Sequence, residues 1–228
     1  MKRFYKEVSV SPDLGILLDG RPVKTPGRLA LVLPHAVLAE AVAEEWRAVE
    51  DEIDPRAMPL TGLANAAVER IAPDPQAFAA GLAVYAESEL LCYRAEGPPD
   101  LVARQQALWD PILDWARTLY DVSFTLVAGI MHRPQPSETI ARLGEAIAAR
   151  NAFELAALSP IVTIAGSLVI ALALVEGALD PEAAFDAAHL DELWQAEQWG
   201  EDELALDQRA SHRADFLAAC RFLRLSRS

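Results

Sequence analysis

The strand-like part of the hydrophobic pattern lies near the N-terminus. Apolar and polar residues partly alternate in the first ten residues, and Asp19-Gly20 is a pair that favours a two-residue hairpin turn. A second turn is expected at Pro26-Gly27. Short strands are predicted at residues 4–10, 16–18, 21–25 and 29–33. Short strands joined by tight turns predict a small antiparallel sheet.

From His35 onward, the apolar residues recur at helical spacing instead. Helices are predicted at residues 35–51, 58–71, 76–94, 100–119 with an interruption at Pro111, 137 to about 150, 161–175, 181 onward after a cap at Asp180, and about 201–225. Residues 122–130 fit a strand or a loop. The pattern predicts an α+β fold with a small N-terminal antiparallel β-sheet plus helices, followed by a larger all-α C-terminal domain.

The boundary between the two domains is expected at Pro73-Asp74-Pro75. The first proline stops one helix, and the Asp-Pro pair supplies a cap and a first-turn proline for the next helix. The predicted domains are therefore an N-terminal α/β domain at residues 1–72 and a helical domain at residues 73–228.

One apolar segment, residues 155–175, approaches the length of a membrane span. Pro160 interrupts it early, and Glu176-Gly177 close it without cationic flanks. We therefore predict no membrane insertion and a helix buried on all sides, with Gly166-Ser167 inside it.

Composition and charge exclude several classes of function. The chain has 228 residues and a net charge of −14, which argues against a nucleic-acid surface and against docking on an anionic membrane. The two cysteines, Cys92 and Cys220, lie in apolar helical patterns and are expected to be buried free thiols in a reducing compartment. No Cys/His cluster has the spacing of a zinc site.

The stretch from His189 to Asp202 is unusual because it combines two tryptophans with many acidic and amide side chains. On a helix, Glu192, Gln195 and Trp199 lie on one face. The adjacent stripe consists of Asp191, Trp194 and Gln198. Aromatic surface beside carboxylates and amides favours contact with another macromolecule over catalysis.

Other interpretations of the polar residues are weaker. His189 with Asp186 or Glu192 has the spacing of two metal ligands, but no further ligand is near in sequence, so a solvated helix face with a local ion pair is preferred. The carboxylates from Glu44 to Asp54, including Glu45, are likewise expected to be solvated. The common hydrolase, zinc-protease, dinucleotide and P-loop motifs are missing, so no metal and no cofactor are predicted.

Several segments, in this order, resemble the assembly chaperone family for the F1 sector of ATP synthase, the type that acts on the F1 alpha subunit. The matching segments are residues 4–6, 18–26, 38–39 together with 43–46, 58–61 together with 64–65, 93–94, 104–105, 109–111, 166–168, and finally Asp191-Glu192 with Gln195, Trp199 and Gly200. Each segment alone is weakly specific, but nine in order over nearly the whole chain are specific.

The resemblance implies a two-domain protein without catalytic activity. Such a protein binds the unassembled alpha subunit, covers a surface that would otherwise aggregate, and yields it to the beta subunit. The functionally critical acidic residue of the family corresponds to Glu192. The expected contact residues are Glu192, Asp191, Gln195, Gln198 and Trp199, with Trp199 holding the helix in place more than touching the partner. Trp46, Trp109 and Gly200 are expected to be structural.

The chain begins without an organellar leader and is rich in Arg and Ala, so we expect a bacterial, cytoplasmic protein that is a monomer in isolation. The alternative is a small-molecule enzyme with an acid/base cleft between the two domains. It would need Asp191, Glu192 and His189 to converge with Arg94 or Arg104 in one concave pocket. An open acidic and aromatic surface would favour the chaperone.

Overall fold

The computed structural model of the chain describes residues 1–200 and 202–227. Its strands are β1 (Val8–Val10), β2 (Ile16–Leu18), β3 (Arg21–Pro22), β4 (Tyr93–Arg94) and β5 (Val127–Ala128). Its α-helices are α1 (Ala36–Ala48), α2 (Pro59–Ala66), α3 (Pro75–Ala83), α4 (Pro99–Tyr120), α5 (Ser137–Ala148), α6 (Ala152–Ala165), α7 (Leu168–Val175), α8 (Pro181–Ala188), α9 (Leu190–Trp199) and α10 (Glu203–Leu225). This order confirms the predicted fold class. Glu201 and Ser228, the predicted start of the last helix and the end of the predicted second domain, lie outside the described residues.

The chain divides into two compact units. The first comprises Met1–Pro75, Asn151–Leu158 and Ala218–Ser228, and the second comprises Gln76–Arg150 and Ser159–Leu217. The predicted boundary after residue 72 lies close to the first break. The first unit also takes the start of α6 and the end of α10, segments that are distant from it in sequence.

The first unit contains the antiparallel sheet β1-β2-β3. The predicted hairpin turn is present, because Asp19 and Gly20 both adopt positive φ, and the Asp19 carboxylate accepts hydrogen bonds from the Lys6 and Glu7 backbone. The predicted fourth strand at residues 29–33 does not form a regular strand. Within this segment, Ala30 forms an isolated bridge with Lys24, and Val32 forms one with Gly15. The two bridges lead to different parts of the chain, so no continuous ladder of paired residues forms.

The N-terminus of helix α2 is capped by a side chain of α1. The Glu45 carboxylate accepts hydrogen bonds from the backbone N–H groups of Leu60 and Thr61 at 2.7 and 2.8 Å and from the Thr61 hydroxyl at 2.7 Å. These bonds satisfy N–H groups that have no partner within the helix. The expectation that Glu45 is solvated is therefore wrong, and burial raises its pKa.

Helix α7 is the centre of the second unit and packs against α4, α5 and α8. The predicted single helix at residues 161–175 is instead divided between α6 and α7. Gly166 adopts a left-handed φ of 62°, and the Ser167 hydroxyl then accepts the Ile170 backbone N–H at 2.9 Å to cap α7. Pro160 lies inside α6 without ending it. Among the described residues, no helix is both long enough and apolar enough to cross a membrane.

Buried Glu89 also supports the start of α7. One carboxylate oxygen accepts the Val169 backbone N–H at 3.1 Å, and the other accepts the Leu91 N–H at 3.3 Å. Burial raises the pKa of Glu89 to about 7. The predicted helix at residues 76–94 ends at Ala83, and the chain continues through short 3₁₀ turns at Val84–Ala86 and Leu90–Cys92. The latter turn takes Glu89 into the interior as its cap.

Helix boundaries elsewhere follow the pattern with local differences. Asp180 caps α8 as predicted, since its side chain accepts the Glu182 and Ala183 N–H groups. Helix α4 continues through Pro111 without interruption, and Asp100 lies in its first turn instead of at its cap. Cys92 and Cys220 are buried free thiols, as predicted.

Candidate partner-binding site

The candidate site is built on α9, the helix that the sequence singles out. Asp191 and Glu192 lie in its first turn, where carboxylates interact favourably with the helix dipole. The helix ends at Gly200, whose φ of 80° is a conformation that side-chain-bearing residues rarely adopt. The Gly200 N–H donates to the Ala196 carbonyl at 2.9 Å. Helix α9 is therefore short, with an acidic first turn and a glycine at its C-terminal end.

One side of α9 is anchored in the second unit. Leu190 and Trp194 are its buried residues. His189, just before the helix, is buried as well: its ring stacks on Phe185 at 3.9 Å between centroids, and its Nδ1–H donates to the Phe185 carbonyl at 2.9 Å. The expectation that His189 lies on a solvated face with an ion pair is wrong, because the α8–α9 turn places the ring inside.

Asp191 is tied to α4. Its carboxylate accepts a hydrogen bond from the Gln105 side-chain amide at 2.8 Å, and buried Gln105 in turn accepts the Ala95 backbone N–H at 2.8 Å. Trp109, one turn further along α4, is buried and donates its indole N–H to the Ala187 carbonyl at 2.8 Å. Asp191 and Trp109 therefore help to hold α8 and α9 against α4.

The opposite side of α9 faces solvent. Glu192, Gln195 and Trp199 line one open cavity of about 390 Å³, together with Arg209 and His212 of α10. Glu192 lies 3.9 Å from the Arg209 guanidinium, at the outer limit of an ion pair. The predicted clustering of Glu192, Gln195 and Trp199 on one face is therefore present in the structure.

Trp199 is more exposed than expected. It exposes 74% of its surface and touches Trp194 edge-to-face at 5.7 Å between ring centroids. The expectation that Trp199 mainly holds the helix in place is wrong, because Trp194 fills that role from the buried stripe. The adjacent predicted stripe of Asp191, Trp194 and Gln198 does not form one surface. Asp191 is half-buried, Trp194 is buried and Gln198 is exposed.

A larger groove of about 820 Å³ borders the other flank of α9. Leu108 of α4 and Leu193 of α9 are among the apolar residues that line it. Arg104 and Glu197 form an ion pair of 2.7 Å across the two helices. Sequence reasoning misses this groove. Both leucines occur at the helical spacing of apolar residues, but this spacing does not show which helices pack side by side.

The side chains required for the enzyme alternative do not converge. The buried His189 ring is hydrogen-bonded to the Phe185 carbonyl, and the Asp191 carboxylate is hydrogen-bonded to Gln105 of α4. The Glu192 carboxylate lies instead near Arg209 of α10. Arg94 pairs with Asp110 at 2.7 Å, and Arg104 pairs with Glu197. Within the described part of the chain, no three His, Cys, Asp or Glu side chains are grouped as metal ligands would be.

Trp46 is half-buried at the end of α1. Its backbone carbonyl accepts the Tyr5 hydroxyl at 2.7 Å, and the two rings meet edge-to-face at 5.8 Å. This contact links the N-terminal segment to α1.

Comparison with known proteins adds independent information. Residues 2–117 match the family model described as ATP12 chaperone protein. The crystal structure of Atp12 from Paracoccus denitrificans is 41% identical, with a TM-score of 0.92 over 99% of this chain and 98% of that one. A crystal structure of a protein from Agrobacterium tumefaciens is 44% identical, with a TM-score of 0.92 over 98% and 85% of the two chains. The mitochondrial protein atp12 of Schizosaccharomyces pombe is 24% identical over an alignment of 214 residues, and this alignment covers 87% of this chain and 74% of that protein.

Proposed function

The chain belongs to the ATP12 chaperone protein family, and from this premise we propose that it is an assembly chaperone of ATP synthase whose client is the unassembled alpha subunit of the F1 sector. The observation that carries the proposal is the solvent-facing side of α9. There, Trp199 exposes most of its ring beside Glu192 and Gln195 over one open cavity.

This surface has the composition of a protein contact. Tryptophan is enriched among the residues that contribute most to binding energy, because it buries a large rigid area at small entropic cost. Trp199 is the aromatic anchor of the proposed contact, and Gln195 and Gln198 supply hydrogen bonds around it. Gly200 gives the helix an abrupt end, so the Trp199 ring is not covered by a further helical turn.

Glu192 supplies the electrostatic part of the contact. Its side chain is 64% exposed, and its distance of 3.9 Å from Arg209 means that the pair is weak in water. A cation of the client would then take the place of Arg209 as the partner of the Glu192 carboxylate. The net charge of −14 favours encounter with a cationic surface of the client.

Asp191 contributes in a different way. Because Gln105 holds its carboxylate, Asp191 orients α9 on α4 and is not the main contact residue. Release of the client needs only that the beta subunit compete for the same surface of the alpha subunit. Binding and release then follow from mass action between overlapping interfaces.

Co-purification with the F1 alpha subunit tests the proposal. The tagged chain is expressed in cells that make ATP synthase, and the alpha subunit retained on the tagged chain is quantified. Glu192→Lys is expected to reduce capture about tenfold, because it places a cation where the client presents one. The folded state should be unaffected, since the side chain is exposed.

Glu40→Lys is the matched control. Glu40 is an exposed glutamate of α1 that also forms a surface ion pair, with Arg47, so this variant makes the same charge change elsewhere. It is expected to capture the alpha subunit at the wild-type level. If Glu192→Lys captures as much alpha subunit as Glu40→Lys does, the role assigned to Glu192 is wrong. If the wild-type chain captures none, the proposed client is wrong.

A further inference from the structure

A second exposed apolar surface lies in the loop between α4 and α5, which we call the apolar loop (residues 124–136). Ile130 exposes 95% of its surface and its neighbour Met131 exposes 76%. Single exposed apolar residues are ordinary, but two large adjacent ones at the tip of a loop are a costly arrangement in water. Exposed apolar patches of this kind are typical of interaction sites.

The neck of the apolar loop is closed by a side chain. Gln135 is buried, and its amide makes two hydrogen bonds of 2.9 Å to the backbone of Thr125. Its oxygen accepts the Thr125 N–H, and its nitrogen donates to the Thr125 carbonyl. This arrangement imitates a pair of β-sheet hydrogen bonds and joins the two ends of the loop.

The base of the tip is also fixed. Strand β5 pairs with β4 in parallel, and the N–H of Gly129 donates to the Arg94 carbonyl at 2.8 Å. Gly129 has a φ of 81°, so it turns the chain outward just before Ile130. On the far side, the Tyr93 hydroxyl contacts His132 Nδ1 at 2.9 Å. Ile130 and Met131 are thus held outward between two fixed points.

The chemistry of the apolar loop contrasts with the rest of the chain. No carboxylate occurs between Asp121 and Glu138, although the chain contains 34 acidic residues. Arg133 is its only permanent cation. Attachment to anionic lipid relies on clusters of cations, and a chain of charge −14 with one arginine here does not provide one. The Glu96 carboxylate lies beside Gly129 at the base of the loop, whereas the tip itself consists of Ile130 and Met131. Such an apolar tip fits an apolar pocket on a protein, and methionine adapts readily to such a pocket.

We infer that the apolar loop is a second protein-contact surface, which inserts Ile130 and Met131 into an apolar pocket of the client. The identity of this client as the F1 alpha subunit rests on the proposed function. The contact differs from that of α9, because it is apolar and because the loop is held ready by Gln135 and Gly129. Little conformational freedom is then lost when the tip is buried.

The test places a dye on the tip. In Met131→Cys the new thiol is exposed, whereas Cys92 and Cys220 are buried with pKa values raised to about 12, so they do not react at neutral pH. The matched control is Val84→Cys, an exposed apolar position in the same unit. Each variant carries an environment-sensitive fluorophore and is titrated with purified F1 alpha subunit, while anisotropy reports binding.

The inference predicts that anisotropy rises for both labelled variants, and that the emission shifts to the blue only at position 131. A rise in anisotropy without that shift overturns the apolar-loop contact and leaves the proposed function intact. No rise for either variant refutes the proposed client, and the inference then fails with it. A blue shift that depends on the concentration of the labelled chain alone, or on vesicles of phosphatidylglycerol, assigns the tip to a second copy or to lipid and overturns the inference.

A second variant tests the energetic contribution. Ile130→Ser combined with Met131→Ser is expected to weaken binding of the alpha subunit about tenfold or more. Val84→Ser should leave the affinity unchanged. The urea midpoint of the double variant should match that of the wild type, because neither side chain is buried in the free chain. Equal affinities for the double variant and the Val84→Ser control would contradict the inference.

Discussion

Helices α7 and α9 are both short and lie in the same unit, yet they have opposite environments. All residues of α7 except Leu174 are buried, and its first turn is capped inside the protein by Ser167 and Glu89. In α9 only Leu190 and Trp194 are buried, and most of its polar and aromatic surface faces solvent. Helix length therefore says little about function, whereas the balance of buried and exposed residues separates a core element from a recognition element.

The difference extends to the carboxylates beside each helix. Glu89 is buried and accepts hydrogen bonds from the backbone at the start of α7, so its role is structural. Glu192 is exposed in the first turn of α9, and its carboxylate lies 3.9 Å from the guanidinium of Arg209. Changes at Glu89 should therefore alter the free energy of unfolding, and changes on α9 should alter binding.

The largest expected effect is that of Glu89→Ala. The substitution leaves the N–H groups of Leu91 and Val169 without acceptors in the interior and creates a cavity, so the free energy of unfolding should fall by about 4 kcal/mol. Urea unfolding at pH 6 measures it, with Glu87→Ala as an exposed control. A loss below about 1 kcal/mol would show that Glu89 does not support α7.

The pH dependence of stability should follow from the same carboxyl group. Its pKa in the folded chain is raised to about 7 from 4.5, mainly by burial, so folding favours the protonated form. This contribution to the free energy of unfolding is fully present below about pH 4.5 and is lost as the pH rises through about 7. Between pH 5 and 8 the wild type should therefore lose roughly 2 kcal/mol more than Glu89→Gln does. Parallel pH profiles for the two proteins would contradict this assignment.

Trp199→Ala should have the third largest effect, and on binding alone. Loss of the exposed ring is expected to weaken capture of the alpha subunit about thirtyfold, because the anchor of the proposed contact is removed. The free energy of unfolding should change little, since Trp194 fills the packing position. Leu204→Ala is a control that removes another exposed apolar side chain. Both variants are titrated with the alpha subunit. Weaker binding of Trp199→Ala alone supports Trp199 as the anchor, whereas equal weakening of both variants indicates a general loss of apolar surface.

Much of the fold follows from local sequence signals. The Asp19-Gly20 turn and the Asp180 cap act within a few residues of themselves, and both are present as predicted. Gly166 carries a local signal too, since glycine favours helix ends, but the surrounding apolar run conceals it. The burial of Glu89 between α3 and β4 depends instead on tertiary packing, which sequence periodicity does not show.

The candidate site is predictable to a similar extent. Periodicity places Glu192, Gln195 and Trp199 on one face, and the structure groups them around one cavity. The burial of His189 and the tie between Asp191 and Gln105 require knowledge of which helices pack together. That information arises from tertiary packing, which local pattern does not encode.

The most direct test of the account is a hydrogen–deuterium exchange footprint of the chain with and without the F1 alpha subunit. Free α9 is short and mostly exposed, so its amides should exchange faster than those of α7. The account predicts that the alpha subunit slows exchange in peptides covering residues 190–200 and leaves those covering residues 36–48 unchanged. Protection of residues 36–48 with no change across residues 190–200 would contradict the claim that α9 meets the client.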